Sequence, residues 1–118
     1  MRKMVKMLLR CALTLCLVAT PVLAAREDPE WNPPARFDFP YPGKMIIRYL
    51  PQPKVVEECR RISKGSIDSL TTRGCAKRLS PKVCVVVIVE ETYKRATPSA
   101  VLRHERGHCN GWPGTHPD

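Results

Sequence analysis

Two histidines and a glutamate near the end of the chain have the types and spacing of a metal-assisted hydrolytic site. His104 and His108 are four residues apart, so on a helix their imidazoles project from one face, one turn apart. Two neutral imidazoles at that spacing can bind one zinc ion, and Glu105 can reach a water bound to it. Zinc lowers the pKa of that water to about 7, and the carboxylate accepts its proton. We therefore predict two metal ligands, His104 and His108, and a general base, Glu105.

A zinc site needs a third protein ligand, and the residues after this motif offer Cys109, His116 and Asp118. Cys109 points about 100° away from its neighbour His108 on a helix, so a disulfide suits this thiol better. His116 follows a helix stop at Gly111 and a Pro-Gly turn that can fold the chain back. We expect His116 as the third ligand, Asp118 as the alternative, and water at the fourth position.

The stretch from His104 to Gly111 reads H-E-R-G-H-C-N-G, which resembles the H-E-x-x-H-x-x-G start of the metzincin zinc site. In those zincin metallopeptidases the glycine turns the chain so that a third histidine reaches zinc. The resemblance implies that His104, His108 and His116 are the ligands, that Glu105 is the base, and that the domain is a small zincin-like α+β fold. The motif is also similar to the H-E-x-x-H-C-x-G-W of small exported bacterial proteins.

The segment after the motif departs from the metzincin pattern. Metzincins place the third histidine three residues after the glycine, whereas His116 comes five residues after Gly111, and no methionine follows the motif. Residues 114–118 are instead similar to the G-T-x-x-D pattern of the aspzincins, which would make Asp118 the ligand. The two resemblances thus imply different third ligands.

The motif lies on a predicted helix over residues 97–109. Thr97 supplies a hydroxyl cap, Pro98 suits the first helical position, and Gly111 is placed to end the helix. Residues 83–90 are β-branched almost throughout, which predicts a strand that is buried on both faces and packed on this helix. In zincins a strand beside the metal pairs with the substrate, and the resemblance gives that role to residues 83–90.

The middle of the chain predicts one further strand and one further helix. Residues 45–50 have the composition of a strand, and a helix follows Pro53. Its apolar face has helical spacing and consists of Val55, Val56, Cys59 and Ile62. Residues 66–80 are polar and mixed and predict no element. Together these features predict an α+β fold in which a short sheet packs on the motif helix.

The first 43 residues divide into two segments that precede this α+β domain, which we place at residues 44–118. Residues 1–24 combine a basic start, a short apolar run and small residues before a cleavage point after Ala24, as in a secretory signal peptide. We expect export and no transmembrane helix after cleavage, with an uncleaved membrane anchor as the alternative. Residues 25–43 are rich in proline and aromatic residues, which predicts an extended arm that drapes over the core or stays mobile.

Four cysteines remain after the signal peptide, namely Cys59, Cys75, Cys84 and Cys109. An even number in an oxidising compartment predicts two disulfides, and three pairings are open. A four-cysteine zinc site is disfavoured because the chain has no C-x-x-C pair. The predicted signal peptide also holds four of the 20 basic residues and none of the 11 acidic ones, so the net charge falls from +9 to +5. The basic residues of the remaining chain are scattered, which disfavours nucleic acid as a partner and favours anionic envelope polymers or membrane surfaces.

These observations favour an exported zinc-dependent peptidase that acts on peptides or cell-wall peptide crosslinks. The alternative is a disulfide-stabilised envelope binding module whose zinc site is structural or vestigial. Ten residues follow His108, so the cleft is open or is completed by a partner such as an envelope protein. A metal-free basic interaction protein is a third hypothesis, in which the two motif histidines are solvated. Tyr93 and Arg103 are candidates for oxyanion stabilisation, and the sequence selects neither.

Overall fold

A computed structural model describes residues 31–63 and 67–118, which form a small α+β domain. In chain order its regular elements are β1 (Lys44–Leu50), α1 (Gln52–Ile62), β2 (Gly74–Ser80), β3 (Val83–Val89) and α2 (Pro98–Cys109). A short 3-10 turn, Ala35–Phe37, precedes them. The predicted signal peptide and residues 25–30 of the predicted arm lie outside the described residues. Within the described ranges, no helix is long and apolar enough to cross a membrane.

The apolar strand β3 occupies the centre of a three-stranded sheet with the order β1-β3-β2. β1 pairs with it in parallel, starting with Lys44 opposite Val83, and β2 pairs with it antiparallel. Cys84 and residues 86–89 of β3 are buried. A strand that is hydrogen-bonded along both edges and covered on both faces tolerates a continuous apolar run. The prediction of a strand buried on both faces is therefore confirmed.

The two helices lie on opposite faces of the sheet. α1 buries Val55, Val56 and Cys59 against one face, which is the apolar stripe that the sequence predicts. α2 packs on β2 and β3 from the other face and buries Val101 and Cys109 there. The structure therefore confirms the prediction that a short sheet packs on the motif helix.

Two disulfides fasten one helix to each face, and this confirms the predicted number of bridges. Cys59 bonds to Cys75, which links α1 to β2, and Cys84 bonds to Cys109, which links β3 to α2. The paired cysteines are separated by 16 and 25 residues. Loops of that length predict a stabilisation of about 3 kcal/mol for each bridge in the chain-entropy account. Because His108 precedes Cys109, the second bridge also holds the end of the motif helix on the sheet.

Strand β2 lies within residues 66–80, where the sequence predicts no element. Of its seven residues only Cys75 is buried, and the side chains from Lys77 to Ser80 are exposed. An edge strand with one buried side chain lacks the apolar alternation by which strands are recognised. Its hydrogen bonds to β3 define it instead, with an irregular register between Arg78 and Ser80.

Candidate metal centre

Helix α2 carries the H-E-x-x-H motif, and its two ends have the structures that the sequence predicts. The Thr97 hydroxyl accepts a backbone amide hydrogen bond from the first turn, and Pro98 opens the helix. At the other end Gly111 has a φ of 101°, and the amides of Gly111 and Trp112 donate to carbonyls of the last helical turn. This pair of bonds is a Schellman motif, which reverses the chain direction. The tail can therefore return to the helix face that carries the motif histidines.

Three imidazoles meet at that face, from His104, His108 and His116. The Nε2 atoms of His104 and His108 are 3.2 Å apart, and the Nε2 atom of His116 is 3.1 Å from each of them. His104 is buried, His108 is half-buried, and His116 is exposed. The structure thus brings together the three residues that the sequence nominates as ligands, and this group could hold a metal ion.

The spacing of the three nitrogens suits a small divalent cation. A triangle with edges of 3.1 to 3.2 Å has its centre about 1.8 Å from each corner, whereas Zn–N bonds are about 2.0–2.1 Å long. Bonds of that length can therefore reach all three nitrogens at once. The three histidines would hold a zinc ion and leave a coordination position for water or substrate.

The other ring nitrogens of the two motif histidines are held by backbone carbonyls. The Nδ1 atom of His104 is 2.7 Å from the Trp31 carbonyl oxygen, and that of His108 is 2.8 Å from the Trp112 carbonyl oxygen. A carbonyl can only accept, so both Nδ1 atoms carry the proton and both Nε2 atoms keep a free lone pair. This arrangement orients histidine ligands in known metal sites.

Two tryptophan rings cover the same histidines. The Trp31 ring stacks on His104 with 4.0 Å between centroids, and the Trp112 ring stacks on His108 at 4.9 Å. Trp112 also donates from its indole nitrogen to the Pro117 carbonyl, 2.9 Å away, which holds the tail beside the helix. The rings fix the imidazole planes and shield them from water.

The tail places His116 in the cluster through a tight turn. The His116 amide donates to the Pro113 carbonyl over 3.0 Å, and His116 has a φ of 55°. Histidine is among the few residue types that adopt this left-handed conformation with any frequency. Asp118, the alternative ligand, is not part of the cluster, and its backbone carbonyl accepts a hydrogen bond from Arg36.

Glu105 lines a cavity of about 500 Å³ together with the three histidines. Residues 71–76, which lead into and begin β2, also line this cavity. The Glu105 side chain is buried and makes no hydrogen bond or ion pair within the described residues. The predicted general base and the predicted ligands therefore share one water-accessible space.

Burial determines the protonation of these groups. It lowers the pKa of His104 to about 4, against the opposing effect of the Trp31 carbonyl, and it lowers the pKa of His108 as well. Neutral imidazole is the form that binds metal, so both residues are ready to do so at neutral pH. Burial also raises the pKa of Glu105 to about 8. In metal-free protein the Glu105 carboxyl therefore holds its proton at pH 7, and a cation bound at the histidines would favour the carboxylate that a general base requires.

No protein-family model, curated protein or solved structure matches this chain. The resemblance to zincins stays a prediction that rests on the motif. What can be said of the site therefore comes from its residues and their geometry.

The proline-rich arm contributes to the site in a way that the sequence does not predict. Residues 31–39 of the arm contact α2 and the residue after it, and the Asp38 carboxylate pairs there with Arg103 and Arg106. Asn110 donates to the carbonyls of Phe37 and Phe39. These contacts bring the Trp31 carbonyl and ring to His104. Backbone carbonyls leave no trace in residue type, so no sequence signal identifies this partner.

Two further expectations about the site are resolved by its geometry. Neither Tyr93 nor Arg103 lines the cavity, since the Tyr93 hydroxyl donates to the Leu70 carbonyl and Arg103 pairs with Asp38.

Strand β3 packs on α2 as expected, but both of its edges are hydrogen-bonded. Since neither edge is open, β3 cannot pair with a substrate, and the expectation that residues 83–90 form the substrate-pairing strand is wrong. The strand at the cavity is β2.

Gly107→Ala is expected to weaken metal binding about tenfold. Changes to a group that orients a metal ligand typically lower the affinity 10- to 100-fold, and this substitution acts on such a group indirectly. A Cβ atom at Gly107 would lie 2.6 Å from the Cβ atom of buried Pro33, so the arm must shift and its Trp31 carbonyl must move from His104. Competition with a zinc-binding dye measures the affinity. Gly114→Ala is the control, because a Cβ atom there meets nothing within 4 Å. Equal losses for both variants, or no loss for Gly107→Ala, would contradict the role given to the arm.

Proposed function

We propose that this protein is an exported zinc-dependent hydrolase that cleaves peptides, with Glu105 as its general base. The observation that carries the proposal is the convergence of three imidazole Nε2 atoms at a cavity that Glu105 also lines. Three histidine ligands with one open position are the arrangement of a known class of catalytic zinc site. A closed structural site would instead use a fourth protein ligand, and no fourth such residue joins the cluster among the described residues.

Zinc is the metal that we propose for this centre. Imidazole nitrogen also suits copper, iron and nickel, so the donor type alone does not choose the metal. The near-equal spacings of the three nitrogens do not fit square-planar coordination, and three imidazoles with an open position are an arrangement of known catalytic zinc sites. Neutral ligands also leave zinc its full double charge for polarising a water or a carbonyl.

Each residue of the site has a separate role in the proposed peptide hydrolysis. A zinc ion held by the three histidines would act as a Lewis acid and lower the pKa of a bound water to about 7. Glu105 accepts the proton of the attacking water and returns it to the departing amine. Trp31 and Trp112 hold the planes of His104 and His108, so the ligands keep their directions during the reaction.

The substrate that we propose is an extended peptide, including the peptide crosslinks of a cell wall. Strand β2 is at the edge of the sheet, and within the described residues no strand pairs with its outer side. Its first three residues, Gly74, Cys75 and Ala76, line the cavity. An extended peptide can add to such an edge through main-chain hydrogen bonds. The scissile bond would then pass beside the histidine cluster.

The cellular setting that we propose is the periplasm or the exterior of the cell. The two disulfides indicate an oxidising environment, in which such bridges persist. The predicted signal peptide agrees with it. The positive charge of the remaining chain suits anionic polymers of an envelope, and an envelope protein that covers the open cavity is a possible partner.

The test is a metal analysis and a peptide-cleavage assay on protein purified without a histidine tag. We expect about one zinc ion per chain, cleavage of a mixed peptide library detected by mass spectrometry, loss of cleavage with a chelator, and recovery with stoichiometric zinc. Cleavage that persists in metal-free protein would contradict the proposal. So would zinc-loaded protein that leaves every peptide of the library intact.

One observation favours the envelope binding module as a second candidate. His116 lies in an exposed tail, and a metal ion would tie that tail to α2, which is the role of a structural site. This candidate predicts bound zinc, no cleavage, and a melting temperature that falls sharply when a chelator removes the metal. The same assay therefore separates the two candidates.

A further inference from the structure

A second charged group reaches the cavity, and the proposed mechanism does not use it. The guanidinium carbon of Arg73 lies 4.9 Å from the centroid of the Trp31 ring. The Trp31 ring in turn stacks on the imidazole of His104. One indole side chain therefore separates the guanidinium from a predicted metal ligand. Arg73 lines the cavity and immediately precedes β2.

The Arg73 side chain is held in place but only partly satisfied. One of its terminal nitrogens donates to the Lys94 carbonyl over 3.0 Å. Its Nε atom is buried and has no hydrogen-bond partner among the described residues. The residue as a whole is half-buried and lines the cavity, so its guanidinium can meet a ligand bound there. The planar guanidinium presents donors in a fixed fork that matches a carboxylate.

A strained turn supplies the carbonyl that holds Arg73. Tyr93 and Ala96 exchange two backbone hydrogen bonds of 3.0 Å, and the residues between them, Lys94 and Arg95, have φ values of 44° and 66°. Turns of this kind usually contain glycine or asparagine, because other side chains are unfavourable at positive φ. Strain of this kind concentrates at binding and active sites. Here it fixes the carbonyl that orients the guanidinium.

The lining of the cavity contains one permanent positive charge that an anion can meet. Arg73 is the only lysine or arginine among the described residues that line it, and Glu105 is the only acid. The Arg73 guanidinium stays charged at all relevant pH values, and Glu105 is buried. A substrate with a carboxylate has one orientation in which its charge meets Arg73 while a backbone amide lies near the metal ligands.

We infer that Arg73 is a specificity-determining residue that binds a carboxylate of the substrate. The inference rests on the proposed function and narrows it to peptides that present a carboxylate near the scissile bond. That carboxylate is either the α-carboxylate of a chain end or an acidic side chain. Bidentate pairing with a guanidinium provides geometry as well as charge, so Arg73 would set the register of the peptide.

Two small metal-binding probes test the inference by affinity. Acetohydroxamic acid is neutral, and succinic acid monohydroxamate adds a carboxylate. Calorimetry on zinc-loaded wild type is expected to give at least tenfold tighter binding of the carboxylate probe. That advantage disappears in Arg73→Gln and survives in part in Arg73→Lys, which keeps the charge and loses the fork. Lys77→Gln is the control, since Lys77 is an exposed cation of β2 outside the lining of the cavity.

The outcomes separate this inference from the proposed function. Equal affinity of wild type for both probes, or an advantage that Arg73→Gln retains, would overturn the role of Arg73 and leave the metal centre in place. Failure of both probes to bind zinc-loaded wild type would contradict an open position at the metal, which the proposed function and this inference both require. Unchanged affinity of Arg73→Gln for the neutral probe shows that the metal site is intact. If Arg73→Gln does not fold, Arg73→Lys tests the same role, and an undiminished advantage of the carboxylate probe in that variant would overturn it.

Three otherwise identical short peptides distinguish the two sources of the carboxylate. The first has a free carboxyl terminus, the second is amidated, and the third is amidated and contains a glutamate next to the scissile bond. A preference for the first assigns the site to a chain end, and a preference for the third assigns it to an acidic side chain. In either case Arg73→Gln is expected to raise KM for the preferred peptide at least tenfold. Equal kcat/KM for all three peptides in wild type would overturn the inference.

Discussion

Replacement of Glu105 by glutamine is expected to lower the rate of peptide hydrolysis at least about 100-fold, while one zinc ion per chain stays bound. Glu105 lines the cavity of the histidine cluster but contributes none of its three nitrogens, so metal content does not depend on it. Glutamine has the size of glutamate and cannot accept the proton of the attacking water. Metal analysis and steady-state kinetics on the same preparation measure the two effects.

The matched control is Glu91→Gln, which removes an exposed carboxylate outside the cavity and is expected to leave both quantities unchanged. Full activity in zinc-loaded Glu105→Gln would show that this carboxylate is not the base. Loss of zinc from that variant would show that Glu105 is a ligand.

The same substitution also has a signature in the free energy of unfolding of metal-free protein. Burial raises the pKa of Glu105 from 4.5 to about 8, so the folded chain holds a proton that the unfolded chain releases. The unfolded state is therefore favoured as pH rises from about 4.5 to about 8. Chelator-treated wild type should lose stability over this interval relative to Glu105→Gln, as denaturant titration at several pH values would measure. Parallel pH profiles would contradict the burial of an ionisable carboxyl.

Replacement of His116 by alanine is expected to weaken zinc binding by more than about 100-fold, because groups that only orient a ligand already account for 10- to 100-fold. His116 supplies one of the three Nε2 atoms, and two histidines on one helix leave the ion with half of a tetrahedral shell. A 100-fold weaker affinity removes about 2.7 kcal/mol of zinc-dependent stabilisation when zinc is in excess. The rise in melting temperature on addition of zinc should shrink accordingly.

Asp118→Asn is the control for this change, since it alters the same exposed tail two residues further on. We expect it to bind zinc as wild type does, because its side chain is not in the cluster. The reverse result, in which Asp118→Asn loses zinc and His116→Ala keeps it, would favour the ligand set of the aspzincin resemblance.

The parts of this site that are local in sequence could be predicted without a structure. Thr97, Pro98 and Gly111 mark the ends of α2 because helix caps act within one turn. The spacing of His104 and His108 brings them together on any helix. The β-branched run of β3 predicts its burial on both faces.

The parts that depend on contacts between distant residues required the tertiary structure. Four cysteines allow three pairings, and the position of each helix on the sheet decides between them. The partner of the His104 ring is a carbonyl 73 residues earlier, and any residue type carries a carbonyl. Arg73 is one of many arginines in the sequence and gains its place only from the Trp31 ring and the Lys94 carbonyl.

The position of the third histidine depends both on the local sequence and on the tertiary structure. Its residue type and the turn before it nominate His116 from the sequence, since imidazole binds metal and Pro-Gly turns the chain. Whether the ring reaches the cluster depends on the left-handed backbone of His116 and on the bond from the Trp112 indole to the Pro117 carbonyl. The sequence by itself thus determined a helix that presents two imidazoles and a carboxylate. Only the folded chain decided what completes and surrounds them, because the carbonyls that hold the histidine Nδ1 atoms, the ring stacks and the cavity walls come largely from segments that meet only in three dimensions.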